Sequence, residues 1–311
     1  FSYIFIFMDT SSQCPLQFRR LTRESLPLVE PYLQRSGSLS CDYSVGGIYM
    51  WIDYFKYHYC ICSDTLFIKG VAEDNRHEVA FSLPIGSLPL AHSVELLKAH
   101  CSEAGVPLVF SAITEERIDD FRALAPKAVT ELEHWGDYIY RAESLATFKG
   151  KALKQKRNHV NHFMAQYPGA QTVPVTSDVL PAVCRCFERV CAEPADSRMA
   201  EYERAQVWHV LRNMADYPFE SMCIMLDGEA LGFTMGEVIG NVMLDHIEKS
   251  LHNDYSGVNE VLCRDFAASI VAKYPQVEYI NREDDAGDDG LRQSKLSYDP
   301  VMILKKYDVM F

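Results

Sequence analysis

Two stretches in the C-terminal half carry side chains that can move protons. In HIEKS, residues 246–250, strand alternation puts His246, Glu248 and Ser250 on one face and Ile247 and Lys249 on the other. An imidazole and a carboxylate on a shared face are the groups that serve as acid and base near neutral pH. Glu237, on the strand before, is a third such group. The second stretch, YINREDDAGDDGLRQSKLSY (279–298), sets five acids and two glycines behind an apolar run, followed by Arg292 and Lys295. Asn281, Arg282 and Glu283 end a strand, and Gly287 permits a sharp turn. Asp288 and Asp289 open the next helix, where free N–H groups and the macrodipole favour carboxylates. Glu283, Asp284 and Asp285 lack that local account and read as a clamp for a cationic amino group. Arg292 and Lys295 lie three apart on one helix, so they are neighbours able to hold a phosphate or polarise an ester carbonyl. Tyr298 is a further proton donor. The competing reading of the same charges is a salt-bridge network that pins the two ends of the loop.

No metal is expected. With Asp285 as the first position of a calcium loop, the third and twelfth positions fall on Gly287 and Leu296. His58, Cys60 and Cys62 share a strand face but lack a fourth ligand, and buried free cysteine is the commoner state. Phosphate-loop, dinucleotide, serine-elbow and zinc-protease motifs are absent from the sequence.

The elements that must position these residues read as α/β. Strands are expected in 46–62 (one or two), 64–70 and 77–86, a helix in 90–104, a strand in 106–113 and a helix from Thr114 to Pro126. A basic helix follows in 149–166. Then come helices in 177–192 and 198–215, three strands in 222–250 with a hairpin at Asp227-Gly228, and a helix in 258–274. The strand VEYINRE, the short helix LRQSKLS and one last strand, PVMILKKYDVMF, close the chain. The two halves end alike, which suggests two divergent copies of one unit. The expected division is 1–140, a connecting helix 141–169, and 170–311 with the active cleft.

With 311 residues, two domains are the ordinary expectation. The net charge of −13 argues against general coating of nucleic acid, so any polyanion site must be a local basic patch. Ten cysteines, Cys14 among them, show neither CxxC pairs nor regular spacing, which fits reduced thiols and a cytoplasmic setting. The opening FSYIFIF is too short to span a bilayer, and Met8 reads as a start.

Four blocks together resemble a bacterial family related to the C-terminal catalytic domain of lysylphosphatidylglycerol synthase. They are SVGGIYMWIDYFKYHY (44–59), YIYRAESLATFKGKALKQKRNHVNHF (138–163), MLDHIEKSLHNDYSGVNEVLCRDFA (243–267) and YINREDDAGDDGLRQSKLSYDPVMILKKY (279–307). The resemblance implies two tandem GNAT-like domains, each a mixed sheet flanked by helices. Its relatives, including Fem-type transferases, pass an aminoacyl group from tRNA to an amine or hydroxyl. It makes Glu248 the first candidate for general base, His246 the second and Glu237 the third, with Lys295 or Tyr298 as acid. It reads Asn281, Arg282, Glu283, Asp284, Asp285 and Arg292 as the substrate clamp. The donor would lie at the head of the helix opened by Asn253, Tyr255, Ser256, Gly257 and Val258, with Ser256 as the helix cap in the plainer reading. Coenzyme A users carry several glycines there, whereas this chain has Gly257 alone. Lys154, Lys156 and Arg157 would meet a tRNA backbone. The implied function is therefore an acyltransferase using aminoacyl-tRNA, with a small-molecule, peptide or lipid-headgroup acceptor and no required cofactor. The alternatives are an acetyl-CoA-dependent N-acetyltransferase, with an acyl-CoA as donor, and a non-catalytic binding protein on a GNAT scaffold.

Overall fold

The computed structural model describes residues 15–72, 75, 77–192, 194–195 and 197–311. The FSYIFIF start, Met8 and Cys14 lie outside them. The strands are β1 (Arg19–Arg20), β2 (His58–Cys62), β3 (Thr65–Val71), β4 (Val79–Phe81), β5 (Ile85–Gly86), β6 (Val109–Thr114), β7 (Ala128–Glu131), β8 (Asp137–Arg141), β9 (Gln171–Pro174), β10 (Glu220–Leu226), β11 (Glu229–Ile239), β12 (Val242–Ser250), β13 (Tyr279–Asn281), β14 (Met302–Leu304) and β15 (Lys306–Met310). The helices are α1 (Leu26–Leu33), α2 (Val45–Trp51), α3 (Leu90–Ala104), α4 (Glu115–Arg122), α5 (Ala142–Thr147), α6 (Lys154–Gln166), α7 (Leu180–Val190), α8 (Arg198–Arg212), α9 (Val258–Lys273) and α10 (Asp289–Leu296).

They build two mixed sheets flanked by helices. One runs β1-β2-β3-β4-β6-β15-β7, with β5 beside β3, and the other runs β14-β8-β13-β12-β11-β10-β9. The second sheet is built from β8 to β14, consecutive in the chain, whereas the first takes β15 from the far end. β8 enters the second sheet between β13 and β14, and β15 enters the first between β6 and β7. The expected single last strand, PVMILKKYDVMF, is therefore two strands in two sheets. Alternation within a segment cannot reveal which neighbour its backbone will find. The two sheets also share a core. One apolar cluster holds Leu66 and Phe110 of the first sheet together with Phe187, Phe233 and Ile247 of the second half. A second cluster, with Phe163, Leu262 and Phe266, lies under α5, α6 and α9.

Residues 46–51, expected as strand, are helical. Ser44 caps α2 by accepting from the Gly47 N–H, and that local bond outweighs the strand propensity of Ile, Tyr and Trp. The Asp227-Gly228 hairpin forms as expected, with φ of 51° and 84°. The head of α9 is capped by Gly257 at φ 92°, not by Ser256.

Pairing of β11 with β12 is interrupted. Met235 faces Ile247 and Gly236 faces Asp245, so His246 is the extra residue of a β-bulge. Gly236 permits it, because a Cβ there would meet the Leu244 carbonyl oxygen at 2.0 Å. The bulge breaks the expected alternation, so His246 and Glu248 have different partners.

Candidate active site

His246 lies in a buried carboxylate–imidazole–carboxylate row. Its Nδ1 donates to Glu283 Oε1 at 2.7 Å and its Nε2 to Glu237 Oε1 at 3.1 Å. The same Glu237 oxygen accepts the Gly46 N–H at 2.7 Å, so the first turn of α2 seats the carboxylate. A Cβ on Gly46 would meet Phe219 at 2.2 Å and Glu237 Oε1 at 2.9 Å, which explains the glycine. Phe219 packs against the imidazole at 5.4 Å between ring centres. Burial works against the imidazolium, but the bonds to Glu237 and Glu283 outweigh it and lift His246 to about 10. His246 is thus charged at neutral pH. The side chains of His246 and Glu237 are 1% and 5% exposed, whereas that of Glu283 is 28% exposed. Glu283 is the open end of the row.

Glu248 goes elsewhere. It pairs with Arg282 at 2.7 Å, and Asp245 stands 3.8 Å from the same guanidinium. Arg282 also lies 4.6 Å from the centre of the Tyr298 ring. Burial first, then the Glu248 charge, push Asp245 up to about 7. The Arg282 side chain thereby fills the gap beyond the paired residues of the parallel strands β12 and β13.

The acidic loop divides its charges. Asp285 takes Arg292 in a two-bond pair of 2.9 and 3.0 Å and accepts from Tyr138 Oη at 2.7 Å. Asp288 caps α10 through the Leu291 N–H at 2.6 Å. Lys295 donates to the main-chain carbonyls of Arg282 and Asp284. Burial raises Asp284 to about 7, with Lys306 and Lys295 opposing it. Tyr298 is buried, between Lys156 (3.8 Å from the ring centre) and Arg282. Arg292, Lys295 and Tyr298 therefore brace the loop, while Glu283 stays open.

A second buried network links β15 of the first sheet to β8 of the second. Lys306 at the start of β15 contacts Asp137 at the start of β8 at 2.9 Å and Asp42 at 2.7 Å. Asp137 also accepts from Asn281 Nδ2 at 2.9 Å and the Cys41 N–H at 3.1 Å. Burial disfavours both charges, yet each partner holds the other ionised: Asp137 is lowered and Lys306 raised. Ligand atoms of Cys41, Asp42 and Asp137 lie within 4.8 Å of one another, as in a metal site. The Lys306 ammonium among them supplies the positive charge, so the group does not fit a metal.

At the expected donor position, Asn253 and Ser256 are exposed and Tyr255 packs on Tyr167 at 5.4 Å. A Cβ on Gly257 would meet the His159 carbonyl oxygen of α6 at 2.7 Å. Helix α6 lies directly over the head of α9, where Val258 is buried. Lys156 turns inward to Glu260 at 3.2 Å, and Arg157 donates to the carbonyls of Phe148 and Gly150. Lys149, Lys151 and Lys154 remain exposed.

Sequence reasoning missed Ser44, Gly46 and Asp245 around His246, and Cys41, Asp42, Asp137 and Lys306 where β8 meets β15. A signal existed for two of these. Asp137 and Lys306 are charges at the starts of short strands whose next residues are aromatic, a pattern that calls for a buried partner.

No helix among the described residues is long and apolar enough to cross a membrane. A conserved protein of unknown function from Bacteroides thetaiotaomicron is similar in structure, with TM-score 0.84 and 26% identity, covering 95% of this chain and 99% of that one. The L-PGS structure from Bacillus licheniformis aligns with TM-score 0.60 and 12% identity, over 91% of each chain. An uncharacterized protein of Mycoplasmoides gallisepticum is 21% identical over 175 residues, 55% of this chain; the chain spans about half, 54%, of that curated relative's length. A family model described as phosphatidylglycerol lysyltransferase, C-terminal, matches residues 33–310. That match takes in both sheets and the His246 row, and the chain belongs to this acyltransferase family.

Proposed function

We propose that this protein transfers an aminoacyl group from aminoacyl-tRNA to an amine or hydroxyl acceptor, on a pair of tandem GNAT-like units. Glu283 is the general base. It takes the proton of the acceptor as the acceptor nitrogen or oxygen attacks the ester carbonyl carbon. The C–O bond to the ribose then breaks, and the ribose oxygen leaves with the proton that Glu283 took from the acceptor. Charged His246, backed by Glu237, orients Glu283 through its Nδ1 bond, so it is a positioning residue. Glu248 stabilises Arg282 rather than acting as base.

The observation that carries the choice of donor is the seating of α6 on Gly257. There α6 crowds the backbone at the helix head, the place where coenzyme A users hold a diphosphate. A tRNA donor needs no such seat, and Lys149, Lys151 and Lys154 offer its backbone three exposed cations beside the same helix.

The test is a donor screen with charged tRNA beside acyl-CoA thioesters. Transfer is expected from charged tRNA alone. Three phosphate contacts give an affinity that falls about 20- to 40-fold between 50 and 200 mM salt. Turnover of acyl-CoA with no use of charged tRNA overturns the reading.

A further inference from the structure

Each sheet has one parallel pair at its centre, and the two pairs differ in what lies beyond them. In the second sheet β12 and β13 pair at three positions, and Arg282 fills the gap by bridging to Glu248 and Asp245. In the first sheet β4 and β6 pair only at Phe81 and Phe110. Past that point the strands part around a recess of about 40 Å³, lined by Ser82 just after β4, Ser111 and Ala112 of β6, and Asp42, Tyr43 and Tyr57. Tyr57 and Ser82 are half-buried, so the recess reaches solvent. It has room for a polar head group, not for a whole cofactor.

Its charge selects the head group. Buried Lys306 neutralises one of its two carboxylate partners, Asp137 and Asp42, and leaves the trio with one negative charge in excess. Asp137 is sealed from solvent, while the Asp42 side chain is 24% exposed and lines the recess. A carboxylate in a small recess, beside hydroxyl groups and over an apolar floor of Ile48, Ile68 and Phe81, is complementary to a primary ammonium on an aliphatic stem.

We propose that the open gap between β4 and β6 binds a primary alkylammonium group, with Asp42 as its counter-ion. For the identity of the natural occupant this rests on the transfer reading above: the ammonium is that of the aminoacyl group or of an amine acceptor. The recess and the Glu283 row lie along one segment, since Asp42 and Ile48 line the recess while Ser44 and Gly46 contact His246 and Glu237.

The experiment is a titration of the full chain with n-butylamine at constant ionic strength and neutral pH, read by backbone amide shifts of Gly70, Ser82 and Ala112. n-Butanol is the neutral control. Saturable shifts are expected with butylamine and not with butanol. Asp42→Asn should weaken binding at least tenfold, and Lys306 keeps Asp137 as partner in that variant. Ser82→Leu, which fills the gap from its half-buried side, should abolish binding. Equal response to butanol, or unchanged affinity in Asp42→Asn, overturns the proposal. Amine binding requires no transfer, so intact binding in a chain that transfers nothing counts against the proposed function alone.

Discussion

Glu283→Gln should lower the rate of aminoacyl transfer by about 10²- to 10⁴-fold, the usual contribution of a positioned general base, while leaving donor affinity unchanged. Glutamine keeps the shape and can still accept from His246 Nδ1, so the fold should survive. It cannot take the acceptor's proton. Glu248→Gln is the informative contrast. Glu248 holds Arg282 at 2.7 Å in a gap that is largely shut from solvent. Its loss should act through stability, with a lower midpoint in urea, and should leave transfer per folded molecule within a few-fold. Single-turnover rates beside urea curves distinguish the two. A large rate loss in Glu248→Gln with unchanged stability, and none in Glu283→Gln, reverses the assignment.

The second large effect concerns the junction of β8 and β15. Lys306→Met should destabilise the protein by about 3–5 kcal/mol, because it strands a buried carboxylate. Asp137 is fully buried, and without Lys306 it keeps only neutral donors, the Asn281 amide and the N–H and thiol of Cys41. Methionine matches the aliphatic stem, so packing is not the cause. Adding Asp137→Asn to Lys306→Met removes the stranded charge and should recover much of the loss. Urea denaturation of the two single variants and the double variant gives the coupling. Additive losses contradict a direct pair. Because this pair ties β8 to β15, its loss should loosen both sheets together.

The sequence announced the chemistry better than the scaffold. HIEKS and the acidic loop do meet, through His246 and Glu283, and Asp288 caps its helix as the free N–H groups of a first turn require. The roles within them were harder to assign. Strand alternation put His246 and Glu248 together, and one inserted residue sent them to different partners. That insertion depends on Gly236 and on the opposite strand, neither of which local periodicity registers. The helix at Val45–Trp51 was hidden for a similar reason, since its aromatic and branched residues favour strands and Ser44 reverses the outcome. The return of β15 to the first sheet left only a trace, the charges of Asp137 and Lys306 at the starts of two strands. Lys156 and Arg157 looked like surface cations, yet one turns to Glu260 and the other to main-chain carbonyls. Charge in a sequence marks where counter-charge is needed, not whether that counter-charge is a ligand or the protein itself.

The account turns on a charged imidazole held between Glu237 and Glu283. The most direct measurement is the titration of His246 by NMR of histidine-labelled protein, its signal assigned as the one missing from His246→Gln among the ten histidines. The predicted result is an imidazolium that persists through neutral pH and loses its proton near pH 10. Since that value stands above the unfolded one of about 6.5, the bonds to His246 stabilise the fold fully below pH 6.5. That contribution is lost as pH rises through 10. A signal that titrates near 6.5, with stability flat from pH 6.5 to 10, contradicts the row and the role of Glu283 with it.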